Sequence, residues 1–130
     1  MLNFNDILRN ILILMGKFQK NSEKNKSYVD TDDFFFADNG KANPRAEILA
    51  SVDALFSRGD QRCTFVARYR FLYEQLVGDN WQQGLQRCKE YQQFIQRTPH
   101  DTIALIFPGA YLSAPSSMFG HTLLRIGAKG

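Results

Sequence analysis

The sequence predicts an α+β fold, in which N-terminal helices precede the first strands of a mixed or antiparallel sheet. Three stretches between residues 43 and 97 repeat apolar residues at helical spacing. After Pro99 the pattern becomes a short continuous apolar run at residues 103–107. Residues 119–126 then predict a second strand, in which successive side chains point to opposite faces. The change of period after Pro99 separates the helical part from the β part.

The first 29 residues predict a weak amphipathic helix followed by a polar linker. Arg9 and Asn10 interrupt the apolar residues, which leaves a run too short for a membrane span or a good signal-peptide core. Residues 17–33 are rich in Lys, Asn and Ser, so we expect a linker or mobile arm there. Residues 34–36 are three consecutive phenylalanines, and we expect this patch to dock on the core of a domain that spans residues 30–130. The apolar positions of the first helix are Phe4, Ile7, Leu8, Ile11, Leu12 and Met15.

Each of the three later helical patterns has recognisable ends. Asn43 suits an N-cap and Pro44 the first helical position, and we expect this helix to run to Gly59. A second helix is predicted over residues 66–77, closed by Gly78. A third is predicted over residues 81–97, stopped by Thr98 and Pro99. The residues expected to face inward are Ile48, Leu49, Val52, Leu55 and Phe56, then Val66, Tyr69, Leu72, Tyr73 and Leu76, then Trp81, Leu85, Cys88, Tyr91 and Ile95.

Two strands are predicted in the C-terminal third. The continuous apolar run at residues 103–107 indicates a buried strand, and residues 108–117 have the Gly, Ala, Ser and Pro of a loop. In the second strand, alternation places His121, Leu123 and Arg125 on one face. Since two strands do not form an independent sheet, we expect either that the chain is incomplete or that a partner supplies more strands.

Composition excludes some functions and leaves others open. The net charge of +3, without a basic stripe or an RNA-binding signature, argues against nucleic acid, while weak attraction to an anionic membrane surface is allowed. Cys63 and Cys88 could be two buried thiols or one disulfide. A bridge would close a loop of roughly 25 residues, stabilise by about 3 kcal/mol and persist in an oxidising compartment. No Cys or His spacing suits a metal, and we expect neither metal nor cofactor.

The residues that could carry chemistry cluster near the second strand. His121 at the strand mouth is placed to be a general base, although a half-buried histidine bonded to a carbonyl fits the spacing too. Ser117 and Ser116 are weaker candidates as nucleophiles, because loop serines usually form turns and no nucleophile-elbow motif is present. Arg68 could hold an anion such as a lipid phosphate, or it could be solvated at the surface or form an internal salt bridge. Tyr111 and Arg125 are further candidate binding residues.

Several segments resemble the Lnb N-terminal periplasmic domain family over about residues 30–127. They are Phe107-Pro108-Gly109-Ala110-Tyr111-Leu112, Pro115-Ser116-Ser117-Met118-Phe119-Gly120-His121-Thr122-Leu123-Leu124-Arg125-Ile126, Cys63-Thr64-Phe65-Val66-Ala67-Arg68-Tyr69-Arg70-Phe71-Leu72, and the opening formed by Asp33-Phe34-Phe35-Phe36 and Asn43-Pro44-Arg45-Ala46-Glu47. Val66 stands where the family usually has proline, and Phe71 where it often has tryptophan.

The resemblance implies a periplasmic or membrane-associated protein of a Gram-negative bacterium. Some relatives are lipoprotein intramolecular acyltransferases, in folds similar to permuted NlpC domains, where a histidine strand precedes a nucleophilic cysteine. By resemblance, His121 would be the base, Cys63 and Cys88 would form a structural disulfide, and the partners would be membrane lipid or lipoprotein.

The chain departs from this scheme because both cysteines precede His121. We therefore expect a partial domain, from a truncated or split reading frame, that is inactive alone and needs the missing C-terminal part. The alternatives are a non-enzymatic envelope module that binds a partner through its open strand edge, and a hydrolase that uses Ser117 or Ser116 with His121.

Overall fold

The computed structural model describes residues 2–18, 26–57, 59–107 and 122–129. The chain divides into two compact units, Met1–Cys88 and Lys89–Gly130. Over the described residues, five α-helices precede a two-stranded antiparallel sheet. The predicted α+β class, with helices before strands, is therefore confirmed over the described residues.

Helix α1 spans Phe4–Gly16 and begins with a reciprocal cap. The amide of Asp6 donates to the Asn3 side chain at 2.9 Å, and the amide of Asn3 donates to the Asp6 carboxylate at 3.3 Å. Leu14 is buried, and the Asn10 side-chain amide donates to the carbonyl of Leu76 at 2.9 Å. The predicted N-terminal helix is therefore present and rests on the helical unit along one side.

Helix α2 spans Pro44–Phe56 and begins where the sequence predicts. The Asn43 side chain accepts the amide of Ala46 at 3.1 Å, as an N-cap does. Ile48 and Leu55 are buried as expected. Leu49 is exposed, so the prediction that it faces inward is wrong. Ser51 is buried in its stead, and its hydroxyl donates to the carboxylate of Glu47 at 3.3 Å.

Two helices follow, α3 over Gln61–Thr64 and α4 over Val66–Leu76. Helix α4 begins at the predicted residue, ends one residue before the predicted end, and buries Tyr69, Leu72 and Leu76. The amide of Gly78 donates to the carbonyl of Tyr73 at 3.0 Å, with a φ of 147° that an L side chain rarely adopts. Glycine therefore permits the chain to leave the helix at this point.

The predicted continuous helix over residues 81–97 is wrong. A 3-10 helix over Trp81–Leu85 packs on α4, and the α-helix α5 begins only at Lys89 and ends at Arg97. Gly84 lies against the ring of Tyr69, where a Cβ would collide, Leu85 is fully buried and Cys88 is bonded to Cys63. These contacts within the first unit bend residues 81–88 away from the regular helix that the apolar pattern favours.

The second unit carries the sheet, whose strands are β1 over Thr102–Ile106 and β2 over Leu123–Gly127. They pair antiparallel, with Ile103 opposite Ile126 and Leu105 opposite Leu124. Both strands are thus present, but β1 is not buried as predicted, since all five of its residues are exposed. Among the described residues, neither face of the two strands is covered. Residues 108–121, which include the predicted loop and the start of the second strand, lie outside the described residues.

Candidate functional site

The residues proposed for catalysis lie outside the described part of the chain. These are His121, Ser116 and Ser117, and with them the binding candidate Tyr111. Their roles remain predictions. The structure does describe the strand that follows His121.

Strand β2 begins at Leu123 and places Arg125 opposite Ala104. Since cross-strand partners share a face and faces alternate along a strand, Leu123 and Arg125 lie on the same face as Ala104 and Ile106. Arg125 is exposed. A guanidinium beside apolar side chains on one face can pair with an anionic group of a ligand or partner.

A disulfide joins Cys63 to Cys88, with 5.2 Å between their Cα atoms. It closes a loop that contains all of α4 and the 3-10 helix over Trp81–Leu85. Of the two alternatives that the sequence leaves open, the structure has the bridge. Because the chain has two cysteines, both sulfurs are used and these 130 residues contain no free thiol.

A polar hollow of about 640 Å³ lies beside the disulfide. Arg62 and Arg87 line it together with Asp60. The guanidinium of Arg62 lies 5.4 Å from the centre of the Tyr69 ring and donates to the carbonyl of Ser57. Burial raises the pKa of Tyr69, against the opposing charge of Arg62.

Arg68 forms an ion pair inside the helical unit. Its Nη1 lies 2.7 Å from Oε1 of Glu47, and its Nη2 donates to the carbonyl of Phe34 at 2.7 Å. The carboxylate of Glu47 also accepts the amides of Phe36 at 3.0 Å and Ala37 at 2.9 Å. The internal salt bridge, one of the three interpretations that the sequence allows for Arg68, is therefore present.

The same ion pair attaches the phenylalanine patch. The Arg68 guanidinium lies 4.4 Å from the ring centre of Phe34, 5.1 Å from that of Phe36 and 5.0 Å from that of Phe65. Rings of Phe36 and Phe65 meet edge to face at 5.0 Å. Burial lowers the pKa of Arg68, while the adjacent Glu47 carboxylate opposes that shift. The predicted docking of residues 34–36 is confirmed, and it depends on an acid that sequence reasoning missed.

Glu47 was missed because an acid in the first turn of a helix is usually explained by the helix dipole. No spacing in the sequence connects it to Arg68, which is 21 residues away. One signal could have indicated the pair. Glu47 and Arg68 carry opposite charges, and each lies on a helix that also has an apolar face.

An apolar cavity of about 250 Å³ lies next to this ion pair. Phe18, Ile48, Phe71 and Leu72 contribute to its wall. Among the described residues, no three His, Cys, Asp or Glu side chains converge as metal ligands would. Over the same residues, every helix is too short or too polar to cross a bilayer.

Comparison with protein families finds a match for two stretches of the chain. Residues 10–75, half of the chain, match a domain of unknown function, DUF7843. Residues 90–130 match the Lnb N-terminal periplasmic domain. The chain belongs to the DUF7843 family and carries an Lnb N-terminal periplasmic domain. No curated protein and no solved structure matches it.

In this DUF7843 and Lnb protein, the features described above fall on different matched stretches. Glu47, Arg68 and Cys63 lie in the DUF7843 stretch, whereas both strands and His121 lie in the Lnb stretch. Cys88 lies between the two. The Lnb family is a periplasmic domain family, and the periplasm is an oxidising compartment in which a disulfide such as Cys63–Cys88 persists.

Proposed function

We propose that this protein is part of a membrane-associated system in the Gram-negative envelope that is related to lipoprotein acyltransferases, and that it contributes a catalytic histidine. The observation that carries the proposal is the Lnb match over residues 90–130, which contains Ser117-Met118-Phe119-Gly120-His121. By resemblance, the substrate is a lipid ester on a lipoprotein, and the fold is that of a permuted NlpC-like domain.

In such a reaction a thiolate attacks the ester carbonyl, the ester oxygen leaves with a proton, and the acyl-enzyme passes its acyl group to an amine. His121 would take the thiol proton and return it to the leaving oxygen. Because both cysteines are joined in the disulfide, the nucleophile must come from outside these 130 residues. We therefore propose that the 130-residue protein has no acyl transfer activity by itself.

The test begins with the coding DNA beyond the codon for Gly130. If that DNA encodes further strands and a cysteine, in frame or after one frameshift, the longer protein is assayed with a diacylated lipopeptide by mass spectrometry of the lyso product. We expect transfer that is lost in His121→Ala. The matched control is His100→Ala, since His100 is exposed and its ring faces the carbonyl of Thr98.

Two outcomes would overturn the proposal. One is an active longer protein in which His121→Ala has no effect. The other is the absence of a cysteine in any downstream frame. Transfer by the 130-residue protein that disappears in Ser117→Ala would instead indicate the serine hydrolase.

The exposed sheet supports a second candidate function, a non-enzymatic module that pairs with strands of a membrane-protein partner. The side chains of Ile103 and Phe107 are 72% and 71% exposed, and Leu105, Leu124 and Ile126 are exposed beside them. Exposed apolar strands with unpaired edges are sites where another chain adds a strand. A photo-crosslinking residue at Leu105, with Leu49 as the control position, would identify the partner. The candidate fails if the purified partner binds Leu105→Asp as well as it binds the unaltered protein.

A further inference from the structure

We propose that the exposed half of helix α1 is a docking surface for an anionic lipid bilayer. The inference specifies how the proposed envelope protein meets the membrane, and it rests on that location but not on acyl transfer. The observation behind it is that α1 exposes apolar side chains on the side that does not contact the helical unit. Four such residues are exposed, namely Phe4, Leu8, Leu12 and Ile13, and Leu2, just before the helix, is exposed too.

The helix has two faces with separate roles. Leu14 is buried and Asn10 bonds to Leu76, so this face holds α1 to the rest of the unit. Phe4, Leu8 and Leu12 follow one another at intervals of four, which places them in a single stripe. Phe4 is 73% exposed and Leu12 is 70% exposed. Burying this stripe in an interface would remove much of that apolar surface from water.

The dimensions of α1 suit the surface of a bilayer. A helix of 13 residues is about 20 Å long at 1.5 Å per residue, whereas the hydrocarbon core is about 30 Å thick. The helix would therefore lie in the plane of the interface, with the apolar stripe directed inward. The Asn3 and Asp6 cap satisfies amides at its first turn, which lowers the cost of bringing that end to the membrane.

Charge favours an anionic surface. Arg9 lies on the exposed half of the helix, and Lys17 caps its end. The Arg9–Asp6 pair, at 3.3 Å, is exposed and therefore weak, so the guanidinium is available to a lipid phosphate. The whole chain has a net charge of +3. Basic residues close to an anionic leaflet are attracted to it, and salt screens this attraction.

The sheet of the second unit is the competing apolar surface, and it is less suited to lipid. Among the described residues its two strands have outer edges with unpaired backbone groups, and such edges are disfavoured in hydrocarbon. The backbone of α1 is hydrogen-bonded within the helix. We therefore assign the membrane contact to α1 and leave the sheet to protein partners.

The test is co-sedimentation of the oxidised 130-residue protein with phosphatidylglycerol-containing vesicles and with pure phosphatidylcholine vesicles. We expect the protein to bind the anionic vesicles, and we expect added salt to weaken this binding. Binding to the pure phosphatidylcholine vesicles should be weaker. The variants Leu8→Ser and Leu12→Ser should each weaken it about tenfold. The matched control, Leu49→Ser, replaces an equally exposed leucine on α2 and should bind normally. Circular dichroism checks that each variant is folded.

Five results would overturn the proposal. Four concern vesicle binding: no binding by the unaltered protein, full binding by a folded Leu8→Ser and Leu12→Ser double variant, an equal loss in Leu49→Ser, and a loss caused by Leu105→Ser in the sheet instead. The fifth is a dimer, detected by light scattering, that Leu12→Ser converts to a monomer, since the stripe would then cover a second copy and not a bilayer. None of these outcomes affects the assay of acyl transfer.

Discussion

Glu47 carries more contacts than any other acid described here, because one carboxylate meets Arg68, two backbone amides and a serine hydroxyl. Replacing it with glutamine would leave the Arg68 charge half-buried without its partner. We expect Glu47→Gln to lower the free energy of unfolding by about 3 kcal/mol at neutral pH, measured by urea denaturation.

A second ion pair in the same unit provides the control. Arg70 and Glu74 are 2.8 Å apart, one helical turn from each other on α4, and their side chains are largely exposed. Glu74→Gln should change the free energy of unfolding by no more than about 0.5 kcal/mol. If both substitutions had the same small effect, the Glu47 pair would not hold residues 34–37 to the helices.

Gly84 tests the packing that interrupts the predicted third helix. A Cβ at this position would collide with the ring and hydroxyl of Tyr69, so this buried side chain would have to shift within the core. Gly84→Ala should therefore destabilise the protein by about 1–3 kcal/mol. Gly16→Ala has open space around the new Cβ and should stabilise slightly, since alanine favours a helix. Thermal melts of both variants would check this, and a neutral Gly84→Ala would contradict the close approach.

Ionisation of the Tyr69 phenol should lower the stability of the protein at alkaline pH. Burial raises its pKa, so the folded state favours the neutral phenol. Because the pKa of Tyr69 is higher in the folded state than in the unfolded state, the neutral phenol contributes to the free energy of unfolding. This contribution is fully present below the ordinary tyrosine pKa of about 10 and is lost as pH rises above it. Relative to Tyr69→Phe, the unaltered protein should lose stability as pH rises through that range, in urea titrations at several pH values. Parallel curves for the two proteins would disprove it.

At the scale of elements, the disulfide joins α3 to the segment before α5. Cys63 and Cys88 are 25 residues apart, and a bridge over a loop of that size stabilises by about 3 kcal/mol. We expect the Cys63→Ser and Cys88→Ser double variant to lose about that much free energy of unfolding without loss of helix content at low temperature. A reducing agent should lower the free energy of unfolding of the unaltered protein by the same amount, and it should not change that of the double variant. A larger loss in the double variant than on reduction would mean that the introduced hydroxyls pack poorly where the sulfurs lay.

Local signals explain which elements the sequence predicted correctly. Asn43 and Pro44 determine the start of α2 through their own backbone and side-chain preferences, and Gly78 determines the end of α4 in the same way. The break between residues 85 and 89 arises from contacts with Tyr69 and Cys63, which are distant in the sequence. Periodicity contains no information about such contacts. The prediction that β1 is buried was wrong for a similar reason. An apolar run shows which residues form the strand, but it does not show whether another part of the protein covers them.

At the scale of the whole molecule, the two units differ in how they are stabilised. The unit that ends at Cys88 has a core built around Leu55, Leu72 and Leu76, together with the disulfide and the Glu47–Arg68 pair. The sheet in the other unit has exposed side chains on both faces. The Lnb match was predictable through resemblance, since residues 115–126 form a long segment typical of that family, whereas the role of His121 stays a prediction. The ion pair was not predictable, because its partners meet only after α2 and α4 pack.

Hydrogen exchange should reveal this difference directly. Amides in α4 are covered by buried side chains and enclosed in the disulfide loop, so they should exchange only on global unfolding of their unit. Amides of β1 and β2 belong to two strands that no described part of the chain covers. Such a pair is marginally stable in water, so these amides should exchange many times faster. Mass spectrometry of peptic peptides from the monomeric protein would measure both. Slow exchange in β1, equal to that in α4, would show that the sheet is stabilised by something beyond its own pairing; protection that appears only with a strand-donating partner would identify what covers it.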